Sequence, residues 1–394
     1  MSSLQYRKPS NAGFSLIEIL VGMVMGLISM LIVMQVFATF EGQKRTTTSG
    51  SDAQTNGGIA LYTIERDIRM SGYGFSDALG CTVNTAINTA INRNPAGPSF
   101  VLAPVTITQG VGGLPDTISV MASNKQNWSE PVSGSDHSLT PTSFAAGSTL
   151  GMAPNDLIIA YETYLGVLIK PCTMFQVSNT SPVINPVSHT SGMWNSGLVF
   201  PSPDYSVNSM LMNVGSLMVH YYSLDANSNL VTQEYDSSTN TGLGATDPVQ
   251  TLFPDVVNLQ AQYGFDTRST TAVAVACPTN TSSGQCSIVN TWSDTMIDAD
   301  GSGVTGDAGD IGRIYAVRFA VVARSGLKEK PDPATGLCNT TSASNNPDNR
   351  PSWANGIIDV SKNPDGTANP DWMCYRYKTF ETVVPLRNAI WKQR

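Results

Sequence analysis

Residues 19–38 carry no charged side chain. In a helix rising ~1.5 Å per residue they would extend about 30 Å, the thickness of the hydrocarbon core of a bilayer. A chain that begins this way must place one long apolar helix in lipid or against other apolar helices. The exception is Glu18, a carboxylate at the edge of the run. An ionisable side chain in lipid costs roughly 2.5–3.5 kcal/mol, so Glu18 calls for a partner. A free amine on Phe14, four residues earlier, would be one, and it exists only if the chain is cut between Gly13 and Phe14. An ordinary secretory signal has an apolar core of roughly 7–15 residues followed by a small-residue cleavage site. Here the run is longer and ends in Phe37-Ala38-Thr39-Phe40-Glu41, which offers no such site. Arg7 and Lys8 precede it and predict a cytoplasmic N-terminus.

The helix is expected to continue to about residue 71. Gly22, Gly26 and Ser29 put small residues on one side, which permits close helix approach. From Glu41 the sequence turns polar. Gly50, Gly57 and Gly58 each weaken a helix by up to about 1 kcal/mol, which predicts a loosened or broken segment. Leu61, Ile64 and Ile68 then restore an apolar stripe, and Gly72-Tyr73-Gly74 supplies a stop. Beyond it, charged residues are sparse (13% of the whole chain) while Ser, Thr, Asn and Gly abound, which suits a β-rich exported head with many turns. Alternation and turn residues predict strands at 101–108, 116–121, 157–161 and 165–169, a hairpin at 216–224 and 230–235, and further strands at 256–265, 312–324 and 379–385. Residues 171–203 read as loops. The fold class expected is α+β, a long hydrophobic helix packed on a large, mainly antiparallel β head.

Gly13-Phe14-Ser15-Leu16-Ile17-Glu18 before an apolar run resembles the class III signal of type IV prepilins and pseudopilins. Residues 64–74, ending in Ser71-Gly72-Tyr73-Gly74, are similar to the end of the N-terminal helix in the PilW group of minor pilins. Residues 311–325, with their Ala323-Arg324-Ser325 ending, and 375–388, with Leu386-Arg387-Asn388, resemble the last two strands of that group. Residues 80–305 match nothing in it. The resemblance implies cleavage after Gly13 by a prepilin peptidase, N-methylation of Phe14 and a role for Glu18 in docking into a filament. It divides the chain into a leader (1–13), a membrane or filament-core half-helix (14–40), an amphipathic half-helix (41–72) and a pilin head (73–394). It implies partners in other minor pilins, the major pilin, the inner-membrane assembly platform and a tip adhesin. It implies an inner-membrane location before assembly and a pilus or surface location after it. The function implied is priming of type IV pilus assembly from a tip complex. A tip pseudopilin of type II secretion shares the same physics, and an adhesin or surface-binding module on a pilus tip is a third reading.

Other chemistry is thinly marked. The net charge is −8 with no basic stripe, so nucleic-acid binding has no electrostatic support. No H-E-x-x-H, G-x-S-x-G or phosphate-binding loop occurs, and His137, His189 and His220 lack ligand spacing, so no enzyme is expected. Asp298, Asp300 and Ser302 at positions 1, 3 and 5, with Gly303 at position 6, begin like an EF-hand calcium loop. The twelfth position is Gly309, and Asp307 or Asp310 could replace the missing glutamate only along a different path. The missing ligand weighs towards a solvated turn; calcium stays as the one cofactor expectation. Six cysteines in an exported domain suggest disulfides. Proximity pairs Cys277 with Cys286 and Cys338 with Cys374, leaving Cys81 with Cys172, out of about fifteen possible pairings.

Overall fold

A computed structural model describes residues 13–83, 100–125, 130–135, 137, 142–164, 167–168, 172–190, 194–195, 205–238, 248–268, 288–332, 334–345 and 347–390. The chain divides into two compact units, Met1–Asp52 and Ala53–Arg394. One helix, α1 (Leu16–Met70), contributes to both.

In the first unit no residue from Leu16 to Glu41 is buried by the rest of the chain, and this stretch is long and apolar enough to cross a membrane. Two of its polar residues turn inward on the helix. Ser29 and Thr39 donate to the carbonyls of Met25 and Gln35 at 2.8 and 2.9 Å, so their hydroxyls need no water. A Cβ on Gly22 or Gly26 would meet nothing within 4 Å.

The predicted break at Gly50, Gly57 and Gly58 does not occur; α1 runs through all three. The reason lies in the second unit. Ala53, Gly57, Ala60, Ile64 and Ile68 form one buried stripe. A Cβ on Gly57 would sit 2.2 Å from Cε2 of Phe380 and 3.0 Å from Cβ of Ala323. Gly57 is therefore the point where the helix comes close to a sheet, and packing overrides its poor propensity. The stop is as expected: α1 ends at Met70, and Gly72 and Gly74 follow with φ of +73° and +84°.

Among the described residues, three antiparallel sheets of four or five strands hold most of the remaining strands, beside three two-stranded ones. The C-terminal sheet orders strands Thr291–Ser293, Val256–Phe265, Ile314–Arg324 and Tyr377–Pro385. A second has Gln250–Phe253, Leu230–Asp236, Leu217–Leu224, Thr117–Ser123 and Val105–Thr108. The third has Val132–Ser133, Ser209–Gly215, Leu157–Tyr164 and Val167–Leu168, with Thr173–Gln176 also on Leu157–Tyr164. The predicted hairpin forms between Leu217–Leu224 and Leu230–Asp236. Its turn is built by Asp225, whose Oδ1 accepts from the amides of Asn227 and Asn229 at 2.9 and 2.8 Å. Residues 171–203, read as loops, contribute Thr173–Gln176 and the short strand Val187–Ser188. Thr173–Gln176 is buried at every position, so no alternation marked it. The strand expected at 101–108 is two pieces, Phe100–Val101 and Val105–Thr108.

The main core joins Ile64 and Ile68 of α1 to Val317, Phe319 and Val321 of the C-terminal sheet and to Ile118 and Val219 of the second. A second core lies on the other face of Leu157–Tyr164, around Phe144, Phe175 and Tyr205. A third lies on the far face of Ile314–Arg324, where Ala320 and Val322 meet Ile358 and Val360. Asp116 ties two sheets together. It is 1% exposed, and its carboxylate accepts from Gly110 and Ala261 amides at 2.9 and 2.7 Å. Burial pushes its pKa up to about 6 despite those bonds.

Candidate functional site

The N-terminal residues lie at the exposed start of α1. Phe14 is 81% exposed, just ahead of the first turn of α1, and Glu18 lies in that turn. The first amides of a helix lack intrahelical acceptors, and the macrodipole favours a carboxylate there. In the uncleaved chain the Phe14 nitrogen is an amide, so cleavage would have to create the ammonium that Glu18 can pair with.

The later blocks that carry the resemblance meet in space at the other end of α1. The side chain of Asn388 donates to the carbonyls of Met70 and Ser71 at 3.4 and 2.8 Å, so the Leu-Arg-Asn ending caps the helix. Leu386 is fully buried beside it in the main core. Residues 314–324 and 377–385 are paired from Ala316 with Pro385 to Arg324 with Tyr377. A Cβ on Gly74 would fall 2.4 Å from Cβ of Ser123, so that turn requires glycine.

Asp67 makes the polar link between α1 and the second sheet. Its Oδ2 lies 2.6 Å from Nδ1 of His220 and accepts from the Tyr222 hydroxyl at 2.5 Å. Burial pushes Asp67 up, but the bonds from His220 and Tyr222 outweigh it and hold the carboxyl below its usual range. The bond to Asp67 raises His220, against burial, and Glu234 at 3.7 Å adds to the effect. Motifs alone assign His220 no role. The available signal is its phase: His220 and Tyr222 share one face of a strand, and Asp67 adjoins the apolar stripe of α1.

The aspartate loop takes a path that differs from an EF-hand. Asp298, Asp300 and Asp310 each bring one carboxylate oxygen within 4.8 Å of the others. Asp310 thus stands where the twelfth ligand was sought. Gly309 cannot carry a side chain, because its Cβ would lie 1.9 Å from Oδ2 of Asp300. Ser302 is not among the three; its hydroxyl donates to Asp307 at 3.0 Å. The carboxylates also accept backbone amides: Asp310 Oδ1 from Ala299 at 2.6 Å, and Asp298 from Gly301 and Gly303 at 2.9 Å. An all-oxygen set of this kind suits a hard divalent cation.

Two of the expected disulfides form. Cys81 and Cys172 are joined with Cα atoms 5.8 Å apart, and Cys338 and Cys374 with Cα atoms 4.9 Å apart. Cys277 and Cys286 lie outside the described residues. His137 and His189 are both buried, with Nε2 atoms 3.0 Å apart beside Phe144 and Phe175.

Residues 205–388 match the family model of type IV pilus-assembly protein W, and residues 8–34 match the prokaryotic N-terminal methylation motif. The first match starts well inside the stretch 80–305, for which sequence reading found no counterpart, so the second sheet's hairpin belongs to the family pattern as well. Comparison with curated proteins and with solved structures gave no match. The methylation motif, the pilus-assembly model and a helix-plus-sheet architecture agree: the chain is a class III signal prepilin of the PilW family.

Proposed function

We propose that this pilin primes type IV pilus assembly at the inner membrane and sits in the tip complex of the filament. The observation that carries the reading is the pairing of an apolar half-helix, unburied from Leu16 to Glu41, with a β-rich unit that extends to Arg394. The helix surface needs lipid or neighbouring helices to cover it. A head of this size would crowd a thin shaft if repeated along it, which favours few copies at one end. The partners are then other minor pilins, the major pilin, the assembly platform and a tip adhesin. Prepilin peptidase would cut after Gly13, Phe14 would be N-methylated, and Glu18 would neutralise the new amine in the same subunit or its neighbour. Mass spectrometry of the N-terminal peptide from membrane-extracted protein tests the processing. A chain beginning at N-methyl-Phe14 is expected; an intact Met1 in cells that hold the peptidase would overturn it. Loss of piliation with normal type II secretion in a deletion strain separates this reading from a secretion pseudopilin.

The calcium expectation continues as a proposal with a revised donor set, Asp298, Asp300 and Asp310, in place of one that includes Ser302. Calcium should raise the thermal midpoint of the full chain in detergent, and D310N should abolish that rise. An unchanged midpoint in millimolar calcium would remove the site.

A further inference from the structure

Between strands Ile314–Arg324 and Tyr377–Pro385 the chain makes a long excursion that Cys338–Cys374 closes. Ile358 and Val360 anchor it on the C-terminal sheet, and the Asn258 side chain donates to the carbonyl of Asp359 at 3.1 Å. On this excursion lies a cleft of about 340 Å³, lined by Arg350, Ile357, Asp359, Ser361 and Trp372 among others. That volume is at the lower end of the ~300–1,000 Å³ typical of small-molecule sites.

The lining groups are held before any ligand arrives. Asp348 clamps the Arg350 guanidinium through Nε at 3.1 Å and Nη2 at 2.7 Å, and among the described residues Nη1 has no partner. Asp359 Oδ1 accepts from the Ser361 amide and hydroxyl at 2.9 and 2.6 Å, and among the described residues Oδ2 has no partner. Trp372 is half-buried against the Ile358 and Val360 cluster, while Ile357 is 55% exposed. The cleft therefore offers an indole, a branched aliphatic, a fixed cationic donor and a fixed anionic acceptor. Two carboxylates against one guanidinium leave no excess positive charge for a phosphate. An apolar platform with planar polar groups at its rim suits a neutral ring that has C–H groups on one face and hydroxyls around its edge. Pre-ordered partners lower the entropy lost on binding.

We propose that this cleft is a carbohydrate-binding site, with Trp372 as the platform for a neutral sugar ring and Asp359 and Arg350 as its hydroxyl partners. The proposal does not depend on where the subunit sits in a filament. The full chain in detergent micelles is titrated with D-glucose, D-galactose, D-mannose and N-acetylglucosamine, with glycine and inorganic phosphate as comparison probes. Saturation-transfer NMR and tryptophan fluorescence report binding. At least one sugar should bind in the millimolar range, and W372A and D359N should each weaken it about tenfold or more. D359N alters an exposed side chain, so it tests the site even if W372A fails to fold. No binding of any sugar at 100 mM, or equal binding by D359N, would overturn the proposal. Preferential binding of glycine or phosphate at the same residues would overturn the carbohydrate assignment.

Discussion

His189 shows how one buried residue makes stability depend on pH. Burial, reinforced by the neighbouring His137, pushes its pKa from 6.5 down to about 4. The unfolded chain then binds a proton near pH 6.5 that the folded chain accepts only near pH 4. Stability is complete above pH 6.5 and falls as pH drops towards 4. The loss is roughly 3 kcal/mol, since each tenfold change in proton affinity is worth about 1.4 kcal/mol. His220 acts in the opposite direction: its pKa is raised, so its contribution is complete below 6.5 and fades as pH rises through the folded value. Asp67, held low, contributes above its ordinary 3.8. The Asp67–His220 pair is therefore at full strength between those two limits. Asp116, raised to about 6, and His220 both gain stability as the pH falls, so the His189 loss is read as a difference: in urea unfolding of the full chain in detergent at pH 7, 5.5 and 4.5, His189→Gln should lose less stability on acidification than the wild type. A variant with the wild-type slope would reject His189 as the cause.

At the scale of elements, the two glycine environments in α1 give opposite expectations. Gly50 has open space where a Cβ would be, so Gly50→Ala should strengthen the helix locally by up to about 1 kcal/mol. Gly57 faces the Phe380 ring and Ala323, and Gly57→Ala should cost about 1–3 kcal/mol of overpacking, more than the propensity it gains. Slower amide exchange around residue 50 in the first variant and a lower Tm in the second are the readouts; a raised Tm for Gly57→Ala would contradict the packing argument. These positions also mark what the sequence disclosed. The apolar run, the helix stop at Gly72 and the hairpin around Asp225 were legible because each depends on a local pattern. The unbroken helix at Gly57 was not, since its cause, Phe380, lies more than three hundred residues away. Asp67 and His220 are likewise remote in the chain, and Asp310 replaced the sought ligand because Gly309 packs against Asp300. Thr173–Gln176 escaped because a strand buried at every position has no alternation to read.

For the whole molecule, the residue to test is Glu18, because its variants distinguish a plain anchor from an assembling subunit. As a plain anchor the helix would be improved by its removal, since a carboxylate in lipid costs roughly 2.5–3.5 kcal/mol. Glu18→Ala should therefore leave the protein in the inner-membrane fraction and leave its head folded, as judged by intact disulfides Cys81–Cys172 and Cys338–Cys374. If the carboxylate instead neutralises the Phe14 amine during docking, the variant would bury an unpaired ammonium among apolar helices. Surface piliation should then fall sharply even though the variant is processed at Phe14 and present at wild-type amounts. Glu18→Gln refines the test, because it keeps the shape and loses the charge: it should fail as Glu18→Ala does. Wild-type piliation by the glutamine variant would show that hydrogen bonding suffices, and wild-type piliation by both variants would leave the helix as an anchor only.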